Sequence, residues 1–137
     1  MTKVEFVWPI RVYYEDTDAG GVVFYANYLK FMERGRTEWL RSLGFEQDAL
    51  MRDPGVLFAV RRSEIDYLKS ARFNELLSVR SSVIQMRGAS FTFEQNIVRD
   101  ADAELLCRGI TQVACLDAVS MQPARIPAAI RNKIQGL

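Results

Sequence analysis

The pattern of apolar and polar positions changes rhythm twice along this chain. Residues 5–14 are rich in β-branched and aromatic side chains (Phe6, Val7, Ile10, Val12, Tyr13), which predicts a first strand, with Pro9 marking an edge or an irregularity. From residue 25 to residue 43 the period becomes helical. Tyr28, Phe31, Met32, Gly35, Trp39 and Leu43 fall on one face, and Lys30, Arg34 and Arg41 take the remainder. Gly44 stands where a helix C-cap glycine would end it. A glycine within the apolar stripe, Gly35, predicts close approach to a neighbouring strand.

After a loop containing Asp53-Pro54-Gly55 come four strand-like segments, residues 57–68, 75–87, 89–100 and 104–116. Phe91, Phe93 and Ile97 recur at even spacing, as do Cys107, Gly109, Thr111, Val113 and Cys115, the alternation of a sheet with one buried face. Asp100-Ala101-Asp102-Ala103 reads as a hairpin turn, and residues 126–134, with Pro127 early, as a short terminal helix. The order is strand, long helix, four strands: an α+β chain, with residues 1–137 forming one domain. One helix cannot cover both faces and both edges of a five-stranded sheet. A second copy is the simplest cover, so a homodimer is expected.

Composition narrows the chemistry. Hydrophobic residues make up 49% and charged residues 26%, the balance of a globule with a packed core. With 18 Lys plus Arg against 17 Asp plus Glu, the net charge of +1 supplies no field that would gather nucleic acid or an anionic membrane. No stretch has the apolar core of a signal peptide or the roughly 18 apolar residues of a membrane span, so a cytoplasmic chain without an integral membrane segment is expected. Cys107 and Cys115 lie eight apart in one predicted strand, some 26 Å at about 3.3 Å per residue, too far to bridge. They read as small core residues in a reducing compartment. The chain has 0 histidines, which removes Ser-His-Asp and Cys-His nucleophile systems, histidine-liganded zinc and imidazole proton shuttles.

What remains is concentrated in one loop. Glu15-Asp16-Thr17-Asp18-Ala19-Gly20-Gly21 sets three carboxylates beside two glycines, immediately before the long helix. A helix start offers unpaired N–H groups and about half a unit of positive charge, which suits a polarised carbonyl or an oxyanion. A carboxylate beside it would attack that carbonyl or activate water against it. Spacing alone leaves a second reading open, in which Asp16 and Asp18 cap turns and the helix. A DxD pair is also a hard-oxygen donor set, but no second carboxylate cluster of clear spacing accompanies it and no metal is expected.

The run from Val12 to Arg34, VYYEDTDAGGVVFYANYLKFMER, resembles the signature of the 4-hydroxybenzoyl-CoA thioesterase family, above all its Tol-Pal-associated acyl-CoA thioesterase branch. The likeness extends through Arg87-Gly88-Ala89-Ser90-Phe91 to the terminal helix. It implies a hotdog fold, a sheet wrapped around one long helix, with the active site at a dimer interface and tetramers of such dimers common. The implied reaction is hydrolysis of short or medium acyl-CoA esters, aroyl esters remaining open, with coenzyme A as part of the substrate and no cofactor. By the same resemblance Asp18, rather than Asp16, is the catalytic carboxylate, as nucleophile or general base, and the Tyr25 backbone N–H polarises the thioester carbonyl. Gly21, Asn27, Arg87 and Ser90 join them as substrate-binding positions, Asn27 by supporting the helix start and Arg87 and Ser90 near the nucleotide and phosphates. Many members of the branch carry histidine where this chain has Tyr25, a replacement that a backbone donor survives. The rival reading is a hotdog scaffold that docks acyl carrier protein or envelope-associated enzymes. A hotdog dehydratase or hydratase is disfavoured because such relatives use a histidine.

Overall fold

In a computed structural model, which describes residues 4–137, the predicted strands pair into one antiparallel sheet. The elements are β1 (Phe6–Arg11), α1 (Asn27–Ser42), α2 (Gln47–Arg52), β2 (Val56–Tyr67), β3 (Leu76–Met86), β4 (Ser90–Arg99), β5 (Glu104–Asp117) and α3 (Ala128–Gln135). The strand order is β1-β3-β4-β5-β2, with the long helix α1 against one face. This is the hotdog arrangement that the resemblance implied.

Helix α1 crosses the sheet between two groups of buried side chains. Near its start Tyr28, Phe31 and Met32 pack with Val12, Leu77, Val79, Ile97, Leu106 and Cys107. Near its end Trp39 and Leu40 pack with Val83, Phe91, Phe93, Val113 and Cys115. Ile130 and Ile134, one turn apart on α3, and Ile126 just before it join the second group. Gly35 lies between the groups, where a Cβ would sit 2.7 Å from Val79 Cγ1. The expected close approach is therefore real. Gly44, at φ +98°, follows the last helical turn, as its C-cap role requires.

Four expectations are corrected. Strand β1 ends at Arg11 and not at residue 14, because the Val12 N–H turns to Glu75 O (3.0 Å) and a 3-10 turn begins at Tyr14. Helix α1 starts at Asn27 and not at residue 25, because Asn27 N–H closes a turn onto Phe24 O (2.8 Å). The loop before Asp53 contains α2, whose six residues bury only Leu50 and are too few to show a period. The central strands are buried on both faces in places: Ser78, Ser82, Ser90 and Glu94 are covered as well as the helix-facing residues. Small or paired side chains in mid-sheet are shielded by their neighbours, and Glu94 is bonded to Arg108.

Both cysteines are free and buried, one in each core group. The sheet edges are β1, where Pro9 faces Ser78, and the 12-residue β2, which among the described residues pairs only with β5, with an irregularity between Val60 and Arg62.

Candidate functional site

The loop between β1 and α1 is built by its own polar groups. Asp16, 6% exposed, accepts the Tyr13 N–H at Oδ2 (2.8 Å) and so holds the 3-10 turn. Its backbone oxygen accepts both the Phe24 N–H and the Asn27 side-chain amide, each at 2.8 Å. Those two bonds fasten the loop to the start of α1. Between them the chain forms a small hairpin, with Asp18 N–H to Val22 O (2.9 Å), Gly21 N–H to Asp18 O (3.0 Å) and a bridge between Thr17 and Val23. Gly21 sits at φ +79°, a conformation that disfavours side chains.

Asp18 is at the exposed tip of this hairpin, where Oδ1 accepts the Gly20 N–H (2.8 Å) and Oδ2 has no partner among the described residues. The Asx turn fixes the carboxylate and leaves one oxygen for chemistry. Tyr25 N–H likewise meets no acceptor among the described residues, although Phe24 and Asn27 on either side donate within the junction. The Tyr25 ring is 62% exposed and stands edge-on to Tyr67, with centroids 5.8 Å apart. Together with Val23, Tyr28, Leu68, Lys69 and Ser70 these two tyrosines line a pocket of about 140 Å³. Tyr28 forms its floor: its hydroxyl accepts the Ala71 N–H (3.0 Å), and burial raises its pKa, with that hydrogen bond opposing. Burial also raises the pKa of Tyr67.

Asp18, Gly21, Tyr25 and Asn27 are thus gathered in one junction, while Asn27 directs its amide to the loop. Arg87 and Ser90 are elsewhere. They bracket the β3–β4 turn, closed by Arg87 N–H to Ser90 O (2.7 Å), and Arg131 holds the turn by donating to Arg87 O and Gly88 O. The Arg87 side chain is exposed with no partner among the described residues, and Ser90 is buried. Residue Phe91, next to Ser90, packs on Trp39 near the C-terminal end of α1, whereas Tyr25 lies just before its first turn. A helix of 16 residues is about 24 Å long, so the chain does not bring Arg87 and Ser90 to the loop–helix junction.

A second cavity, of about 200 Å³, lies at that far end between α1 and β2, β4 and β5. Residue-by-residue reading of the chain did not find it. The available signal was Gln95, a polar residue on the core-facing parity of β4 between Phe93 and Ile97. Gln95 is fully buried and donates to Met32 O and Ser81 Oγ (2.9 Å each), and its Oε1 accepts from Arg36 (2.9 Å). Among the described residues, no three His, Cys, Asp or Glu side chains converge as a metal site.

The thioesterase-like superfamily model matches residues 12–134. The chain belongs to that superfamily. It is 45% identical over 130 residues to the acyl-CoA thioester hydrolase YbgC of Escherichia coli, covering 95% of this chain and 96% of the relative. To the acyl-CoA thioesterase YbgC of Haemophilus influenzae it is 43% identical over 126 residues, 92% of this chain and 91% of the relative. Among solved structures, a probable thioesterase from Bartonella henselae superposes with a TM-score of 0.86 at 34% identity, covering 90% of this chain and all (100%) of that one. The matched span contains both the loop–helix junction and the β3–β4 turn.

Proposed function

We propose that the chain hydrolyses short or medium acyl-CoA thioesters to the free acid and coenzyme A, with Asp18 as nucleophile or general base. The observation that carries this reading is the pairing of an uncommitted Asp18 oxygen with the uncommitted Tyr25 N–H, on a loop bonded to the start of α1. Negative charge that develops on the thioester oxygen is met by the Tyr25 N–H and the positive end of the helix. Asp18 either attacks the carbonyl, expelling the coenzyme A thiolate and leaving a mixed anhydride for water to open, or takes a proton from the attacking water. Gly21 gives the hairpin its turn, and Asn27 holds hairpin and helix together. The relatives' acyl-CoA activity supports the substrate class.

The site is complete in a homodimer. β2 presents an unpaired edge, and Tyr67 beside the helix start lies at one end of β2 while Phe58 lies near the other, about 30 Å away. Antiparallel apposition of two β2 edges exchanges those ends. The β3–β4 turn of one copy then shares an end with the helix start of the other, which allows Arg87 and Ser90 to bind the phosphates of a substrate whose thioester is at the neighbouring Asp18. Two free buried cysteines suit the reducing cytoplasm, and acyl carrier protein is an alternative carrier for the same thioester.

The test is thiol release from a panel of acyl-CoA esters by the unaltered protein and by Asp18→Asn, both shown to fold alike. A catalytic carboxylate predicts a fall of at least about 10²-fold. If both proteins are equally slow, the turn-forming bond to Gly20 is sufficient reason for Asp18, and a scaffold that docks acyl carrier protein becomes the better reading.

A further inference from the structure

The cavity at the far end of α1 has unlike walls. Trp39, Phe58, Phe91 and Phe93 supply aromatic surface, and Arg36 stands among them from the helix side. Arg36 is half-buried, and its one hydrogen-bond partner among the described residues is neutral, Gln95 Oε1, with Gln95 itself held in place by bonds to Met32 O and Ser81 Oγ. No carboxylate within the described residues forms an ion pair with it. Glu33, the acid whose charge acts on it, also lines the cavity and accepts the Thr37 hydroxyl (3.0 Å). Burial lowers the Arg36 pKa, against the pull of Glu33, as for a cation short of counter-charge. A guanidinium fixed by a buried amide, with donors left over, is a recognition group for a planar anion.

The apposition of β2 edges proposed above brings this cavity, lined by Phe58 and Val60, against the helix start of the second copy. The cavity then continues the path of the acyl group away from the thioester. We propose that it receives the far end of the acyl chain, and that Arg36 selects short acyl groups ending in a carboxylate. This rests on the thioesterase reading. At about 30 Å³ per water-sized group, 200 Å³ holds some six or seven such groups, enough for a three- to five-carbon dicarboxylic chain and too few for a long fatty chain.

The experiment compares kcat/KM for succinyl-CoA and glutaryl-CoA with that for 4-methylpentanoyl-CoA and 5-methylhexanoyl-CoA, in which an isopropyl group replaces the carboxylate, after subtracting spontaneous hydrolysis. The unaltered protein is expected to favour the carboxylate-ended esters roughly 10- to 100-fold, the range for one charge-assisted pair. Arg36→Met should bring that ratio to within about threefold of unity, through a fall on the carboxylate-ended esters that the isopropyl-ended esters do not share. Arg36→Lys should keep part of the preference. Equal rates on both ester types in the unaltered protein overturn the assignment, and that measurement needs no variant to fold. Parallel loss on both ester types in Arg36→Met overturns it too, because Arg36 then serves only to pack Gln95. Absence of Asp18-dependent turnover on every ester removes the thioesterase reading and this assignment together, whereas turnover without preference removes the assignment alone.

Discussion

Replacing Gly35 by alanine probes the contact on which the placement of α1 depends. The new Cβ would lie 2.7 Å from Val79 Cγ1, about 1 Å inside the ordinary 3.5–4.0 Å carbon contact. Val79 is fully buried and β-branched, so it has no free rotamer to adopt. The next neighbours are Gln95 Nε2 at 3.2 Å and Ser81 Oγ at 3.3 Å, and these two groups are bonded to each other and, through Gln95, to the α1 backbone at Met32 O. Relief by lifting the helix would stretch those bonds. Overpacking of this kind costs about 1–3 kcal/mol, and alanine's better helix propensity returns about 1 kcal/mol. Because Val79 cannot yield, the cost belongs in the upper part of that range, for a net loss of about 1–2 kcal/mol. At fixed protein concentration the Tm should fall by roughly 3–8 °C.

Gly109→Ala is the control. Its Cβ would meet Ile65 Cδ1 at 2.8 Å and Met32 Sδ at 2.9 Å, the far ends of side chains that can swing aside, and a loss under about 1 kcal/mol is expected. Urea unfolding of Gly35→Ala, Val79→Ala and the double variant measures the coupling directly. The double variant should be more stable than the sum of the single losses by at least about 1 kcal/mol. A Gly35→Ala protein as stable as the original, or strictly additive losses, would show that the helix seats against the sheet with room to spare.

Two further substitutions have defined outcomes. Tyr28→Phe removes the acceptor of the buried Ala71 N–H and should cost about 1–3 kcal/mol in urea unfolding. Because Ala71 O in turn accepts the Val23 N–H (2.8 Å), hydrogen exchange at Val23 should also speed up, and unchanged protection there would contradict the coupling of Tyr28 to the loop. Burial first, and then the charge of Asp66, pushes the Cys107 thiol from 9.0 up to about 12. Its folded-state value lies above the unfolded one, so the folded state holds the proton more tightly. The associated stability is complete below pH 9 and is lost as pH rises towards 12. Unfolding free energy should therefore fall with alkaline pH, and Cys107→Ala should flatten the fall; an equal slope in both proteins would refute the assignment to this thiol.

How much of this was legible in the chain depends on how far apart in sequence the cooperating residues lie. The long helix and four strands are announced by repeated spacing, and Gly35 announces the close approach because nothing else favours glycine in an apolar stripe. Helix α2 is silent, since six residues with Leu50 alone buried have no period to read. The loop of Asp18 and Gly21 is legible because its carboxylates and glycines stand directly before the helical pattern, and Tyr25 and Asn27 joined it by resemblance; hairpin and helix start are joined by local bonds to Asp16 O. What spacing could not choose between, a capping carboxylate and a chemical one, the geometry does not force apart either: Asp18 performs the turn with Oδ1 and leaves Oδ2 uncommitted. The cavity around Arg36 is the opposite case. It draws on α1, α2, β2, β4 and β5, so no window of sequence contains it, and only Gln95 on an otherwise apolar parity betrayed a buried polar partner. Arg87 and Ser90 were reached by resemblance alone, and the fold explains why. They lie at the end of α1 opposite Tyr25, and in the dimer we propose a twofold relation brings such ends together; a symmetry operation leaves no periodicity in the chain that undergoes it.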